Sequence, residues 1–365
     1  MGDRATPDGL VSIVINNYNY GRFVWKAIES ALAQTYDRVE VIVVDDGSTD
    51  DSRDVIERYS DQVVTVLKQN GGQGSAFNAG FEHVSGDIVI FLDADDVLDE
   101  SIAARVTAAF AQHPELAKVH YRLDVIDRLG RCTGDVIPPA GIVLPSGDLR
   151  ELVRHHPDDL PYPPSTGNAF AAWALTRVLP IPEGDYRLQA DNYLFNLVPL
   201  LGPVEMLDGT GGRYRIHGEN AWSVFDLNAR PTLRLDRVRA TIGTTHTTHA
   251  HMKQLADSLG LEGFPDPAYD DRSLVFLSHR LVSLKLDRAL HPLPTDRLAR
   301  LVIRGVTAAA RRSSLSIGMR ILYIGWFLAF SLAPRGFARW LAEQMLYPEH
   351  RGRFAWLVER LRKPP

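Results

Sequence analysis

The chain has 365 residues, of which 45% are hydrophobic and 23% charged, with a formal net charge of −5. That apolar share excludes disorder along the whole chain, and the length predicts two domains at roughly 100–200 residues each. The one cysteine, Cys132, excludes a disulfide framework and a cysteine-based zinc site, and fits a reducing compartment. The opening MGDRATPDGL has no apolar h-region, so no secretory leader and a cytoplasmic location are expected. The charge is uneven. Residues 301–365 carry eleven Lys/Arg and three Asp/Glu, a net of +8, which leaves −13 for residues 1–300. An acidic body with a basic tail predicts different partners for the two parts.

Residues 11–16 (VSIVIN) read as a buried strand. Residues 23–34 follow with apolar residues at 24, 27, 28, 31 and 32, a helical spacing. A β-branched run over 39–44 predicts a second strand. It ends in Asp45-Asp46-Gly47-Ser48, a turn that offers N-cap residues to a helix over 51–60. A third strand is expected over 63–67, a turn at Gly71-Gly72 that demands positive φ, and a helix over 74–84. Residues 87–92 make a fourth, strongly apolar strand. It stops at Asp93-Ala94-Asp95-Asp96, ahead of a helix over 99–112. The repeating βα order predicts the α/β class with a three-layer, mainly parallel sheet. Ligands of such sheets sit at the carboxyl ends of strands, where both Asp-rich turns fall.

The middle is less regular. Residues 117–125 and 131–136 flank an Asp-Arg-Leu-Gly turn and predict a hairpin. Residues 137–164 are rich in Pro and Gly and read as loop. Residues 184–201 include a helical stretch carrying Asp191. A short strand over 213–216 leads into His217-Gly218-Glu219-Asn220. From about 228 onward the pattern is helical. The expected division is a catalytic domain over 1–228, with halves 1–112 and 113–228, and a helical region over 229–365.

Asp93-Ala94-Asp95 places two carboxylates either side of one small residue, after an apolar strand. In a half-extended turn one can face a divalent ion while the other reaches a neighbouring ligand group. Oxygen ligands suit Mg²⁺ or Mn²⁺, which also coordinate phosphate oxygens. The same tripeptide also serves as a solvated turn capping the next helix. His246, His249 and His251 have no cysteine or acid at a matching spacing. Their Thr-rich surroundings read as exposed helix or loop, and no zinc site is expected there.

Residues 11–54, VSIVINNYNYGRFVWKAIESALAQTYDRVEVIVVDDGSTDDSRD, strongly resemble the nucleotide-binding half of the family 2 glycosyltransferases, which have the GT-A fold. The resemblance continues through Asn70-Gly71-Gly72, Ala76-Phe77-Asn78-Ala79-Gly80, Ser85-Gly86-Asp87 and Phe91-Leu92-Asp93-Ala94-Asp95-Asp96. It covers about 100 residues nearly without gaps, in the family's order. Ser165-Thr166-Gly167-Asn168-Ala169, Ala190-Asp191-Asn192-Tyr193-Leu194 and Tyr214-Arg215-Ile216-His217 look like the acceptor-side motifs of soluble members.

The resemblance implies roles. Asn16, Tyr18 and Asp46 match positions that hold the nucleoside base, Tyr18 by stacking and Asp46 by accepting from its N–H edge. Asp93 matches the ribose contact. Asp95 matches the metal-bound carboxylate, with Mn²⁺ or Mg²⁺ as the cofactor, and His217 a residue near the diphosphate and metal. Asp191 matches the catalytic base. The family's frequent paired acids are replaced here by Asp191-Asn192, so Asp191 is the one carboxylate of its cluster. The implied reaction is inverting transfer from a nucleotide-diphosphate sugar, UDP first by family frequency, to a glycan, lipid-linked or other hydroxyl acceptor. Surface polysaccharide or glycoconjugate synthesis is the implied setting. Each residue keeps a structural alternative: Asp191 as a helix cap, His217 as a loop histidine, Tyr18 as a core aromatic.

Residues 321–333 (ILYIGWFLAFSLA) carry no charge and lie between Arg320 and Arg335. A spanning helix needs about 20 apolar residues, so this run fits a buried core helix or an interfacial or re-entrant segment. Phe354, Leu357, Val358 and Leu361 form one helical stripe among Arg351, Arg353, Arg360, Arg362 and Lys363. Trp340 and Trp356 add residues that favour the membrane interface. Peripheral contact with the inner face of the plasma membrane stands beside packing on the catalytic domain or on a second copy in a homo-oligomer. No nucleic-acid partner is expected.

Other readings fit less well. A sugar nucleotidyltransferase would carry a Gly-rich basic loop after the first strand, where Asn16-Asn17-Tyr18-Asn19-Tyr20 stands. A dinucleotide dehydrogenase would carry Gly-x-Gly-x-x-Gly there. A processive synthase would add Gln-x-x-Arg-Trp and several spanning helices. A non-catalytic sugar-nucleotide-binding or scaffold protein would have no need of the Asp93, Asp95 and Asp191 set.

Overall fold

The computed structural model describes residues 9–155, 157, 160–218, 220, 233–267, 273–312 and 315–346. The chain divides into two compact units. One comprises residues 1–153 and 160–225, the other 154–159 and 226–365.

In the first unit, uninterrupted apolar runs become strands with both faces covered. β1 (Val11–Asn17), β2 (Val39–Asp45), β3 (Val64–Leu67) and β4 (Ile88–Asp93) alternate with α1 (Gly21–Leu32), α2 (Ser52–Glu57) and α3 (Gln73–Phe81). Val11, Ile13, Val14, Ile15, Ile42, Val43 and Val44 are wholly buried. Each such side chain contributes about 1.5–3 kcal/mol relative to exposure. Gly80 lets α3 lie directly on β1, since a Cβ there would meet Val14 Cγ1 at 2.3 Å.

The strand order is β3-β2-β1-β4, with all neighbours parallel. The chain steps outward from β1 to β3 and then returns across β1 to β4. The gap between β1 and β4 is therefore the topological switch point, where the carboxyl ends leave a crevice.

Beyond β4 the sheet mixes directions, unlike a uniformly parallel one. Next come β5 (Val97–Leu98), α4 (Ile102–Gln112), β6 (Lys118–Ile126), β7 (Cys132–Ile137) and α5 (Arg150–His155). They are followed by β8 (Asn168–Ala171), α6 (Ala172–Val178), α7 (Ala190–Leu197) and β9 (Val204–Arg215). β8 lies antiparallel to both β4 and β6, β9 is parallel to β6, and β7 forms the expected hairpin with β6.

Three differences from the sequence reading have local causes. α4 begins at residue 102 rather than 99, because Asp99 N–H pairs with Gly211 O and its carboxylate takes Ser101 N–H at 3.0 Å. β9 is twelve residues long, where only 213–216 read as strand. Its Asp208-Gly209-Thr210-Gly211-Gly212 run hides the alternation. Gly211 is required there, since a Cβ would lie 2.4 Å from the Tyr121 ring. The stretch read as loop over 137–164 contains α5.

The second unit is helical: α8 (Leu235–Ser258), α9 (Leu274–Leu286), α10 (Leu298–Arg311), α11 (Ile317–Leu332) and α12 (Arg335–Leu346). Val238, Ile242, Leu277, Leu281, Leu301, Phe327 and Phe330 form its core. Ser273 caps α9 and Ser316 caps α11 through their hydroxyls. The Thr-rich run lies on α8, and His249 is 1% exposed against the Phe276 ring. The expectation of an exposed segment is corrected there: the helix turns that face inward.

α11 answers the question raised by its uncharged run. Met319, Trp326, Phe327 and Phe330 are buried, the last three in the helical core, whereas Ile317, Ile321, Leu328 and Leu332 are exposed. The exposed four recur at i, i+4, i+11 and i+15, one stripe of the helix. No helix among the described residues is long and apolar enough to cross a membrane. The stripe of Phe354, Leu357, Val358 and Leu361, with Trp356, lies outside the described residues.

Candidate active site

Three parallel strand ends build the floor of the site. The backbone register sets Asn16 beside Asp93 across β1 and β4, and Asn17 beside Asp45 across β1 and β2. The side chains follow that register. Asn16 Nδ2 donates to Asp93 Oδ1 at 2.9 Å, and Asn17 Nδ2 donates to Asp45 Oδ1 at 3.0 Å.

The two acids at the end of β2 divide their tasks. Asp45 is fully buried and also accepts from Arg53 Nε at 2.9 Å, which ties the strand end to α2. Asp46 accepts four donors: Lys68 Nζ at 2.6 Å and Gly71 N–H at 2.8 Å on Oδ1, then Asn70 Nδ2 at 3.1 Å and Gly72 N–H at 2.7 Å on Oδ2. A carboxylate has about four lone-pair sites, so these bonds fill it. In this arrangement Asp46 shapes the Asn70-Gly71-Gly72 turn. Gly72 has φ +88°, and a Cβ there would lie 2.5 Å from Arg187 Cα. That approach lets Gln73 and Gly74 donate their N–H groups to the Arg187 and Tyr186 carbonyls.

The same contact leads to Asp191. Gln73 Oε1 accepts from Ala190 N–H at 2.9 Å, in the first turn of α7, and Gln73 Nε2 donates to Ser165 Oγ at 3.4 Å. Ser165 Oγ donates in turn to Asp191 Oδ2 at 3.3 Å, and Asn192 N–H donates to Oδ1 at 2.9 Å. Burial pushes the Asp191 carboxyl above its usual range, while these two bonds and Lys118 pull it down. Gln189, before the helix, sits in the left-handed region with φ 61°.

Asp93, Asp95 and Asp96 have three different settings. Asp93 is pushed up to about 7 by burial, with Asp95 and Asp191 adding repulsion and the Asn16 bond opposing it. Asp95 Oδ2 lies 3.0 Å from His217 Nε2 and accepts from Asn220 Nδ2 at 3.1 Å. Asp95 Oδ1 has no protein partner among the described residues. Asp96 is fully buried and accepts from Thr166 Oγ1 at 2.7 Å and Arg215 N–H at 2.9 Å. Burial also drives its carboxyl well up. Thr166 Oγ1 additionally accepts from Asp93 N–H at 3.2 Å, and Arg215 Nε donates to Asp95 O at 2.7 Å.

The structure brings Asn16, Tyr18, Asp46, Asp93, Asp95 and Asp191 to the wall of one cavity of about 930 Å³. Tyr18 stands at its rim, 46% exposed, and is not a core aromatic. The His217 side chain is 1% exposed, behind Asp95, with its ring 4.9 Å from Phe23. A second hollow of about 640 Å³, lined by Trp25, Lys26 and Arg213 among others, holds none of these residues.

The donor set fits a hard divalent cation. Oxygen atoms dominate it, Asp95 lies on the cavity wall, and Asp93 is repelled by both Asp95 and Asp191. Among the described residues, no three His, Cys, Asp or Glu side chains converge as a ready cage. Mg²⁺ and Mn²⁺ sites of this kind use one or two carboxylates and complete their shell with substrate phosphates.

Some contributors carried a weak sequence signal or none. Ser165 and Thr166 stood in a recognised motif without an assigned role. Gln73 had no signal, because its partners lie at 165 and 190. Lys118 opens a strand otherwise rich in inward apolar residues, and that misplaced charge was the one available sign.

Residues 12–132 match the family model of Glycosyl transferase family 2. An uncharacterized glycosyltransferase of Nostoc sp. is 39% identical over 214 residues, covering 58% of this chain and 66% of that protein. An uncharacterized glycosyltransferase of Rickettsia prowazekii is 46% identical over 88 residues, covering 24% of this chain and 28% of its own length. The alignments thus span from just under two thirds to about a quarter of those relatives. Among solved structures, S. aureus TarS 1–349 in complex with UDP-GlcNAc aligns with a TM-score of 0.54 at 16% identity, covering 92% of this chain and 91% of that one. At that identity the likeness concerns the fold, which is GT-A. Residues 12–132 thus carry the glycosyl transferase family 2 match, within a chain whose fold is GT-A.

Proposed function

We propose that the protein is a metal-dependent, inverting glycosyltransferase that moves a sugar from a nucleotide-diphosphate donor to an acceptor hydroxyl. The convergence of Asp93, Asp95 and Asp191 on one cavity at the β1–β4 switch point carries this reading.

Tyr18 offers a ring face at the rim for the nucleoside base. Asp46 shapes the adjoining wall through Lys68, Asn70 and Gly72. Asp93, held by Asn16, contacts the ribose. Asp95 Oδ1 takes the divalent ion, and His217 and Asn220 hold the opposite oxygen in place. When bound, Mg²⁺ or Mn²⁺ offsets charge on the departing diphosphate and aligns the donor. Asp191 accepts the proton of the acceptor hydroxyl, a contribution of about 10²–10⁴ in rate. Attack from the Asp191 side, opposite the diphosphate, inverts the anomeric carbon. UDP-sugars are the first donors to test, since the TarS structure of the same fold holds UDP-GlcNAc.

Besides the exposed stripe of α11, Phe337 and Trp340 on α12 stack at 5.4 Å and are 53% and 43% exposed. Together with the +8 tail, these residues favour peripheral contact with an anionic membrane. A lipid-linked acceptor in surface glycan assembly would suit that placement.

A thermal-shift panel of UDP-, GDP- and dTDP-sugars with Mn²⁺ or Mg²⁺ tests the donor assignment. Binding to the native state alone raises the midpoint by mass action. The reading expects one nucleotide class to raise it, more strongly with the cation, followed by turnover. Binding without any turnover would favour a scaffold role.

A further inference from the structure

Lys118 begins β6, is fully buried, and belongs to none of the roles above. Its ammonium lies among three aromatic faces: 4.6 Å from the Phe195 centroid, 5.0 Å from Tyr162 and 5.8 Å from Phe170. Tyr162 and Phe195 also line the cavity, so the ammonium sits directly behind its wall. Phe195 and Asp191 stand four residues apart on α7, on one face of that helix. The lysine that reaches one therefore approaches the other.

We propose that Lys118 is a positioning residue for Asp191, whose buried cation keeps that carboxylate ionised and ready to accept the acceptor's proton. The inference rests on the assignment of Asp191 as base.

The surroundings contain few competing charges. From α7 the charged neighbour is Asp191. On β6 itself, His120 shares the lysine's side of the strand. Burial, and next Lys118, holds its pKa down to about 3, so it is neutral. β8 presents Phe170, and β9 pairs Val204 with Lys118 in register. The segment before Ser165 presents Tyr162. Across the cavity Asp93 repels Asp191. Burial pulls the lysine down to about 7, and Asp191 is what opposes that pull. An unpaired buried ammonium is costly, and aromatic faces with one carboxylate are the compensation available. The two groups thus stabilise each other's charged forms.

The test uses the full chain without metal or substrate. Carboxylate signals of protein labelled with [¹³Cγ]aspartate are titrated, and Asp191 is assigned by its loss in Asp191→Asn. Removing a nearby cation raises a carboxyl pKa. Lys118→Met should therefore raise the Asp191 midpoint by about one unit or more, the usual size of a nearby-charge effect. Coupling is reciprocal, so Asp191→Asn should lower the Lys118 midpoint, read from [¹³Cε]lysine, by a similar amount. This second variant decides the matter if Lys118→Met does not fold. Unchanged midpoints in folded variants would overturn the proposal. In turnover assays, Lys118→Met should move the acid limb of kcat upward with donor KM unchanged. Coupled titrations in a protein that turns over no donor would uphold the pairing and refute the transferase reading.

Discussion

Ser165 Oγ donates to Asp191 Oδ2 at 3.3 Å while accepting from Gln73 Nε2 at 3.4 Å. One hydroxyl therefore links the N-terminus of α3 to the acid on α7. Its bond to Asp191 favours the ionised carboxylate. Ser165→Ala should raise the Asp191 pKa and move the acid limb of the kcat profile to higher pH. Activity should fall several-fold more at pH 6 than at pH 8. A uniform loss at both pH values would place Ser165 in a purely structural role.

His217 stands behind Asp95 rather than on the cavity wall. Residues that orient metal ligands typically cost about 10–100-fold in affinity or activity when removed. His217→Ala should weaken Mn²⁺-dependent donor binding by about that factor, with little effect on binding of the nucleotide without metal. Titration calorimetry with and without Mn²⁺ separates the two. An equal loss in both would show that His217 supports the fold of the site instead.

The acid cluster predicts an inverse dependence of apoprotein stability on pH. Asp93 holds its proton more tightly when folded, up to about 7 against the ordinary 3.8. Its contribution is fully present below the ordinary carboxyl value and is lost as pH rises through about 7. Asp93→Asn should therefore raise the apoprotein's melting midpoint at pH 8, by about 2–4 °C per kcal/mol of repulsion relieved. It should do little at pH 4 and should weaken donor binding. A lower midpoint at pH 8 would contradict the cluster's assigned electrostatics.

The legible parts of the chain were those with local causes. β1, β2 and β4 announced themselves as apolar runs, and the turns that end β2 and β4 carried the acids. The match of Asn16 to Asp93 follows from parallel register alone. Less legible was anything assembled from distant segments. β8 enters between β4 and β6 from residues 168–171, so the mixed half of the sheet had no local signature. The glycines of β9 broke the alternation that would have marked a twelve-residue strand. Asp46 and Asp45 look alike in sequence, yet one shapes the cavity turn and the other anchors α2. Asn78, inside a recognised motif, bonds both ways with the backbone of Ile181 and is structural.

The second unit yields a separate test. Ile321 and Leu332 are 65% and 85% exposed on the outer stripe of α11. Flotation with anionic liposomes should recover the full chain and lose most of Ile321→Glu/Leu332→Glu, with recovery falling at high salt. Equal flotation of both proteins would remove α11 from any membrane contact.

The central claim is that Asp191 is the base of an inverting transfer. The most direct measurement is turnover by Asp191→Ala with the donor that stabilises the wild-type protein. Melting and donor affinity should be retained while kcat falls by about 10²–10⁴-fold, the range of a general base. Near wild-type turnover by folded Asp191→Ala would contradict the claim.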